Sequence, residues 1–151
     1  EIEEAAQEAM QRLQGAYAVI IATENKLLAF RDPYGVRPLC LGRMGSNYAL
    51  ASESCGLNIM GAYFIRELEP GEMVIMDEEG LRSIQVVTPA KPSLCIFEFI
   101  YFARPDSYLY GRNLYDARKS MGMSLAKECP VDADLVIPVP DTGTPAAIGY
   151  A

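Results

Sequence analysis

The stretch CIFEFIYFARPDS, residues 95–107, carries the strongest structural signal in this chain. Its first nine residues contain a single charged side chain, Glu98, and neither glycine nor proline. Aromatic and β-branched residues dominate it and prolines bound it at Pro92 and Pro105, which favours a strand over a short helix. Because both alternating sets of side chains are apolar, we predict that residues 95–103 form a central strand buried on both faces.

Glu98 is the exception within this predicted strand. A buried carboxylate needs a cation or hydrogen-bond donors to remain charged. Arg104 follows the strand closely enough to reach it, so we predict a core strand with one satisfied salt bridge.

Length, composition and charge indicate a globular protein. The chain has 151 residues, half of them hydrophobic, which is enough for one buried core. Its 13 Lys and Arg against 20 Asp and Glu give a net charge of -7 without a basic cluster, which argues against nucleic-acid binding. No apolar run approaches the roughly 20 residues of a membrane span and no signal sequence is evident, so we expect a cytoplasmic protein without membrane contact.

Two absences restrict the chemistry. The chain has no histidine, which excludes Ser-His-Asp, Cys-His and the usual zinc hydrolase sites within it. Its four cysteines are widely spaced and form no CxxC pair, so reduced thiols are expected. The chain opens with Glu1 and ends at Ala151 shortly after a predicted helix begins, and we expect it to be part of a longer protein.

Residues 1–90 predict a helix followed by antiparallel strands. Residues 1–14 place apolar side chains at helical spacing, and Gly15 is a suitable helix end. Short apolar runs separated by turn residues then occupy positions 17–23, 26–30, 38–41, 48–52, 72–76 and 81–87. Because the first of these runs is apolar on both faces, we predict a sheet between a helical layer and a second sheet.

Residues 91–151 predict alternating strands and helices. The prolines of TPAKP, residues 88–92, indicate a linker, and we place the domain boundary between residues 90 and 91. Asn113 is expected to cap a helix that ends before Pro130. The buried stripe of this helix is predicted to hold Leu114, Ala117, Met121 and Leu125.

A buried strand is predicted at residues 134–139, followed by a loop at 140–143 and a helix that Thr144 caps and that has Pro145 at its first position. Free backbone N–H groups at such a helix start suit a phosphate or a phosphate-bound Mg²⁺. Many α/β units have a polar loop at this position, so the pattern alone leaves a structural role open.

Several motifs occur in order along the chain. They are RDPYGVRPL (31–39), ASES (51–54), RELEPGE (66–72), CIFEFIYFARPDS (95–107) and VPDT (139–142). Together they resemble the glutamine phosphoribosylpyrophosphate amidotransferase family over essentially the whole chain. The first two are shared by glutamine amidotransferases with an N-terminal cysteine nucleophile, whereas the fourth is more particular. We expect the resemblance to fail if residues 95–103 form a solvent-facing helix.

The resemblance implies an α+β fold in two parts. Residues 1–90 would be the C-terminal half of the glutaminase domain, a partial αββα sandwich of the N-terminal-nucleophile hydrolases. Residues 91–151 would be the linker strand and the first α/β elements of a type I phosphoribosyltransferase fold. The family makes 5-phosphoribosylamine from glutamine and phosphoribosylpyrophosphate in the first step of de novo purine (IMP) synthesis, often as a homotetramer.

The resemblance also assigns site residues. Cys95 matches a ligand of the [4Fe-4S] cluster in the iron–sulfur branch of the family, with the other ligands outside this chain. Thr142, beside Asp141, matches the residue that contacts the Mg²⁺ carried by phosphoribosylpyrophosphate. Cys40, Cys55 and Cys129 match no ligand position, and buried packing is expected for them.

No catalytic residue is assigned within this chain. The family's nucleophile is the thiol of the first residue with its own α-amine as base, which fits the absence of histidine. The nucleophile and the glutamine-binding residues lie upstream of this segment in the family, and the Asp-Asp loop for phosphoribosylpyrophosphate lies downstream. The chain alone is therefore expected to be inactive, while Arg31 and Asp32 are expected to fix the turn shaped by Pro33 and Gly35.

Two other identities compete with this interpretation. An asparagine synthetase segment would share the first two motifs, but it would lack CIFEFIYFARPDS and continue into a Ser-Gly-Gly-x-Asp-Ser loop, which is absent here. A non-catalytic α+β module for metal binding or protein interaction would explain the missing catalytic residues. It would not explain an end just inside a helix.

Overall fold

The computed structural model describes residues 1–151, which divide into two units, Glu1–Cys95 and Ile96–Ala151. The first unit contains α1 (Ile2–Arg12), β1 (Ala18–Ala22), β2 (Leu27–Arg31), β3 (Cys40–Met44), β4 (Asn47–Ala51), α2 (Ser54–Ile59), β5 (Tyr63–Glu67), β6 (Glu72–Asp77) and β7 (Gly80–Gln85). The second contains a π-helix (Glu98–Phe102), β8 (Tyr108–Leu109), β9 (Arg112–Asn113), α3 (Leu114–Glu128) and α4 (Thr144–Tyr150). None of these helices combines the length and apolar character needed to cross a membrane.

Two antiparallel sheets pack face to face in the first unit. One has the strand order β1-β2-β6-β7 and the other β4-β3-β5. In β2, Leu28 faces a core formed with Met10 of α1, while its neighbour Ala29 faces a second core formed with Leu41 of β3. Alternation along the strand thus places one apolar set against the helix and the other against the second sheet. This double burial is why the strands are apolar on both faces.

Helix α2 covers the outer face of the second sheet. Leu57 of α2 is fully buried, and a Cβ added at Gly42 of β3 would lie 2.8 Å from its Cδ2 atom. Gly42 therefore leaves the space that Leu57 fills. The order α1, sheet, sheet, α2 confirms the predicted αββα sandwich.

The strand assignments in the first unit are largely confirmed, with two additions. The turn at Glu24 and Asn25, between the first two predicted strands, joins β1 to β2, where Ala22 pairs with Leu27. Helix α2 and strand β5 were not predicted, because their apolar residues show neither a clear helical nor a clear two-residue period.

The predicted strand at residues 95–103 is wrong. Residues 96 and 97 are α-helical and Glu98–Phe102 is a π-helix. One side of the segment is buried, at Glu98, Phe99 and Ala103, while Ile100 and Tyr101 are 48% and 61% exposed. The second unit offers this segment no strand to pair with, and a short apolar run does not by itself distinguish strand from helix.

Arg104, proposed above as the partner of Glu98, forms a local ion pair with Asp106. Its Nε and Nη2 atoms lie 3.0 and 2.9 Å from the two carboxylate oxygens of Asp106. Glu98 is buried as predicted. Its pairing with Arg104 stays a prediction.

Helix α3 begins as predicted but buries a different face. The Asn113 side chain accepts the N–H of Asp116, which confirms the cap. The buried positions are Leu114, Arg118 and Gly122, whereas Met121 and Leu125 are 40% and 50% exposed, so the predicted stripe is wrong for these two. Close contact with α4 selects this face, because only glycine at position 122 lets the Ala146 carbonyl approach.

The predicted buried strand at residues 134–139 is also wrong. These residues form no regular structure, and Leu135, Ile137 and Val139 are exposed. In the second unit the only strands are β8 and β9, which pair with each other. Without a neighbouring strand, the segment has no partner for its backbone N–H and C=O groups.

Candidate functional site

The motif RDPYGVRPL folds into a turn built around the carboxylate of Asp32, whose side chain is completely buried. Its Oδ1 accepts the N–H of Tyr34 at 3.0 Å, and its Oδ2 accepts those of Val36 at 3.1 Å and Arg37 at 3.4 Å. The Gly35 N–H closes the turn on the Asp32 carbonyl at 3.0 Å, with Gly35 at φ +61°. The predicted role of Asp32 in fixing this turn is confirmed.

Arg31 fixes the same turn from the other side. Its guanidinium is buried and donates to the carbonyls of Leu68 at 2.7 Å and Gly35 at 2.6 Å. Glu67 balances the charge, with a carboxylate oxygen 3.6 Å from Arg31 Nη1. Arg31 thereby connects the turn to the segment between β5 and β6, which confirms its predicted structural role.

The turn also contacts the linker that follows β7. The N–H of Ala90 donates to the Pro33 carbonyl at 2.8 Å, and the N–H of Ser93 donates to the Tyr34 carbonyl at 2.9 Å. Cys95, the predicted cluster ligand, follows closely and ends the first unit with a half-buried side chain. Its thiol is thus within reach of solvent or of another part of the protein.

The other cysteines differ in their surroundings. Burial, with a contribution from Glu67, raises the pKa of the Cys40 thiol to about 12, so this side chain stays protonated and packs as predicted. Cys55 is also buried, with its Sγ 3.6 Å from Glu53 Oε2. Cys129 is exposed, so the packing prediction is wrong for that residue.

Metal-ligating side chains are dispersed across residues 1–151. No group of three or more His, Cys, Asp and Glu side chains is placed to hold a metal ion. A [4Fe-4S] cluster takes four thiolates, and residues 1–151 hold no group of cysteines that could bind one by itself.

The loop at residues 140–143 lies directly before α4, as predicted. The Gly143 N–H donates to the Val139 carbonyl and the Thr144 N–H to the Asp141 carbonyl, both at 3.2 Å. Helix α4 begins at Thr144 with proline in its first turn, within one residue of the predicted start. The predicted cap at Thr144 is wrong, because Gly143 is the N-cap residue and no side chain caps this helix. Thr142 is half-buried and Asp141 is exposed. Their hydroxyl and carboxylate oxygens are ligands of the type that Mg²⁺ prefers.

Glu72, the first residue of β6, has a buried carboxylate that was not predicted and that binds several neighbouring groups. Arg66 donates to both of its oxygens at 2.7 and 2.6 Å, and the N–H of Glu69 donates at 2.6 Å. The Ser83 hydroxyl forms a further short hydrogen bond. Burial favours the protonated acid, but these donors outweigh it and hold the pKa of Glu72 below its ordinary value. The network fixes the motif RELEPGE and offers no group free for catalysis.

A polar cleft of about 320 Å³ lies beside the start of α1, the turn between β1 and β2, and the turn between β6 and β7. Its cations are already paired: Lys26 binds Glu3 at 2.6 Å, and Arg82 binds Asp77 at 2.6 Å. The cleft therefore stabilises the scaffold and gives no support to a ligand site.

Comparison with known proteins gives consistent results. A family described as glutamine amidotransferase domain matches residues 1–58. The amidophosphoribosyltransferase of Mycobacterium leprae is 51% identical over 99% of this chain and 27% of its own length, and that of Synechococcus elongatus is 50% identical over 97% and 31%.

A solved structure is also similar to this chain in both fold and sequence. Glutamine phosphoribosylpyrophosphate amidotransferase from B. subtilis, complexed with ADP and GMP, gives a TM-score of 0.95 at 44% identity. The match covers 99% of this chain and 33% of that chain. The chain thus spans about a third or less of the length of these relatives.

Proposed function

Because this chain is similar to amidophosphoribosyltransferases over nearly its whole length, we propose that the protein containing it makes 5-phosphoribosylamine from glutamine and phosphoribosylpyrophosphate. The observation that carries the proposal is the 51% identity over 99% of the chain. The similarity continues through residues 95–107 and 139–142, well beyond the amidotransferase match at residues 1–58. An asparagine synthetase segment would share only the first two motifs, RDPYGVRPL and ASES.

We propose a different function for each of the two parts of the chain. We propose that residues 1–90 complete a glutaminase domain, which agrees with the αββα order of layers in the first unit. We propose that residues 91–151 open a phosphoribosyltransferase domain, which agrees with the predicted loop before α4. On this proposal the whole protein is a pentosyltransferase that works in the cytoplasm, as a homotetramer.

Thr142 is the proposed contact for the Mg²⁺ that accompanies phosphoribosylpyrophosphate. Its hydroxyl and the carboxylate of Asp141 are adjacent in a loop held by two backbone hydrogen bonds, and neither residue is buried. These oxygens fit a hard divalent cation. A bound Mg²⁺ would neutralise pyrophosphate charge, while this chain's contribution is to orient a hydroxyl and a carboxylate toward it.

The full-length protein is expected to form phosphoribosylamine from glutamine only when phosphoribosylpyrophosphate and Mg²⁺ are present. A Thr142→Val variant should raise the KM for phosphoribosylpyrophosphate about tenfold, the loss expected for one oxygen ligand. Thr142→Ser keeps the hydroxyl and should behave as wild type. Steady-state assays over a Mg²⁺ series measure both. Ammonia release from glutamine by the 151-residue chain alone would contradict the proposal that its nucleophile lies elsewhere.

Cys95 is the proposed ligand of a [4Fe-4S] cluster. Its half-buried thiol fits the role of one donor, whereas Cys40 is sealed in the core with a pKa of about 12. The other thiolates would come from outside this chain, as the dispersed cysteines require. A bound cluster would cross-link distant parts of the protein and supply an oxidation-sensitive centre.

Replacing Cys95 with serine in the full-length protein should remove most of the bound iron and acid-labile sulfide, because a neutral hydroxyl is a much poorer iron ligand than a thiolate. Iron and sulfide are measured after anaerobic purification. Cys129→Ser is the matched control, since Cys129 is exposed and matches no ligand position. Undiminished iron in the Cys95→Ser protein would refute this ligand assignment.

A further inference from the structure

Two hydrogen bonds attach the linker after β7 to the turn at residues 32–35. They run from Ala90 N to the Pro33 carbonyl at 2.8 Å and from Ser93 N to the Tyr34 carbonyl at 2.9 Å. Both distances are those of ordinary backbone hydrogen bonds. The linker therefore has a defined contact surface within the first unit.

The turn that offers these carbonyls is fixed independently of the linker. The Asp32 carboxylate accepts the N–H groups of Tyr34, Val36 and Arg37, and Arg31 binds the Gly35 carbonyl from the opposite side. Asp32 has no exposed surface, so water does not compete for these hydrogen bonds. The acceptors are consequently held in place before the linker binds.

The linker is also suited to bind at these points. Proline at positions 89 and 92 removes two backbone donors and restricts the neighbouring backbone, which lowers the entropy lost when the linker is ordered. Among the remaining donors, the N–H groups of Ala90 and Ser93 are the ones that reach the turn. The positions of the two prolines thus leave backbone N–H groups at Ala90 and Ser93, where the carbonyls of Pro33 and Tyr34 can accept them.

Docking strongly restricts where the thiol of Cys95 can lie. Before the linker, the chain is held to the first unit at Val87, whose N–H donates to the Gly71 carbonyl at 3.2 Å. Without the turn contacts, the residues from Val87 to Cys95 could extend over about 28 Å, whereas Ser93 leaves Cys95 within about 7 Å of a fixed point. A ligand side chain has to be held to a fraction of an ångström for a metal centre to assemble correctly.

We propose that the turn at residues 32–35 is the docking point of the linker at residues 88–95, and that Asp32 is a positioning residue for Cys95. The second half of this proposal rests on the proposed function, in which Cys95 is a cluster ligand. Asp32 acts through the carbonyl directions of Pro33 and Tyr34 and does not touch the cluster. The motif RDPYGVRPL, otherwise structural, thereby acquires a role in placing the segment that leads to residues 95–107.

Hydrogen–deuterium exchange of the full-length protein, purified anaerobically, tests the docking. Asp32→Asn weakens the turn, and Ser93→Pro removes one linker donor at an exposed position without touching the core. Both variants should speed exchange of the Ala90 amide about tenfold, the protection expected from one backbone hydrogen bond. Amides of β2 and β6 should keep their wild-type rates, which shows that the fold is intact.

Two control variants distinguish loss of the linker contact from effects that any turn substitution or any added proline would have. Asp77→Asn alters another turn aspartate, which accepts the N–H of Glu79 at 3.0 Å in the turn between β6 and β7. Thr88→Pro adds a proline to the linker at a position whose N–H donates no hydrogen bond to the turn. Both controls should leave the Ala90 exchange rate unchanged. If Ser93→Pro also leaves it unchanged, the docking proposal is wrong.

Iron and acid-labile sulfide content of the same preparations tests the positioning role. Asp32→Asn and Ser93→Pro should lower iron at least about twofold relative to both controls, with a weaker cluster absorption band. Faster linker exchange with undiminished iron would overturn the role of Asp32 toward Cys95 while supporting the docking. Wild-type protein without iron would overturn the cluster assignment itself, and the exchange rates would then decide the docking alone.

Discussion

Alanine at Gly122 is expected to separate helix α3 from helix α4. A Cβ at this position would lie 1.9 Å from the carbonyl oxygen of Ala146, a backbone atom that cannot move aside like the end of a side chain. Overpacking of this kind typically costs about 1–3 kcal/mol, and the collision with backbone places Gly122→Ala at the upper end, about 3 kcal/mol. Thermal unfolding and limited proteolysis between α3 and α4 measure the loss.

Two further variants test this explanation. Gly149→Ala should have a similar effect, because a Cβ there would lie 2.0 Å from the Lys119 carbonyl oxygen. Ser124→Ala changes an exposed position of α3 to the best helix former and should alter stability by less than about 0.5 kcal/mol. Equal melting temperatures for Gly122→Ala and Ser124→Ala would contradict the close helix contact.

Replacing Glu72 with glutamine should destabilise the first unit by about 2–3 kcal/mol, because an amide cannot accept the paired Arg66 donors and the Glu69 and Ser83 hydrogen bonds as a carboxylate does. Glu72 is almost completely buried, so water does not replace the lost contacts. Urea unfolding of the full-length protein, followed through the protection of β6 amides, measures the difference at pH 7. Glu78→Gln, at an exposed turn position, is the control.

The same substitution should change the pH dependence of stability. The pKa of Glu72 in the folded protein lies below its ordinary value of 4.5, despite burial, because Arg66, Ser83 and the Glu69 N–H stabilise the carboxylate. Its contribution is therefore complete above about pH 4.5 and is lost as the pH falls further toward the folded-state pKa. Wild type should lose stability over this range more steeply than Glu72→Gln. Parallel curves would contradict the assigned pairing.

The similarity to amidophosphoribosyltransferases does not require residues 95–103 to form a strand. We expected a solvent-facing helix there to defeat the resemblance, and the segment is helical with several exposed rings. The chain is nevertheless 51% identical over 99% of its length to an amidophosphoribosyltransferase. The order of residue types identified the relatives correctly, although the strand assigned to them was wrong.

Local chemistry explains the predictions that succeeded. The Asp32 turn and the Asn113 cap follow from side chains that accept backbone N–H groups a few residues away. The start of α4 follows from the proline in its first turn. The layers of the first unit follow from strands that are apolar on both faces. Each of these features is decided by neighbours in the sequence or by a strict alternation of residue types.

Some site residues became visible only in the folded chain. The linker contacts at Pro33 and Tyr34 join residues separated by several strands, and no spacing rule connects them. The buried network of Glu72 is more local, but it joins residues of β5, β6 and β7 that come together only in the fold. The motif RELEPGE contains both Arg66 and Glu72, which is the one sequence signal that could have suggested their pairing.

The sequence alone determined which proteins this chain resembles, the sandwich of the first unit, the Asp32 turn and the Asn113 cap, because these depend on residue identity and on contacts over a few residues. Tertiary structure decided the state of residues 95–103 and 134–139 and the buried face of α3. An apolar segment becomes a strand only where a neighbouring strand pairs with its backbone N–H and C=O groups. A helix buries the face that its partner helix can approach most closely. In α3 that face is set by the missing side chain of Gly122 rather than by the most hydrophobic stripe.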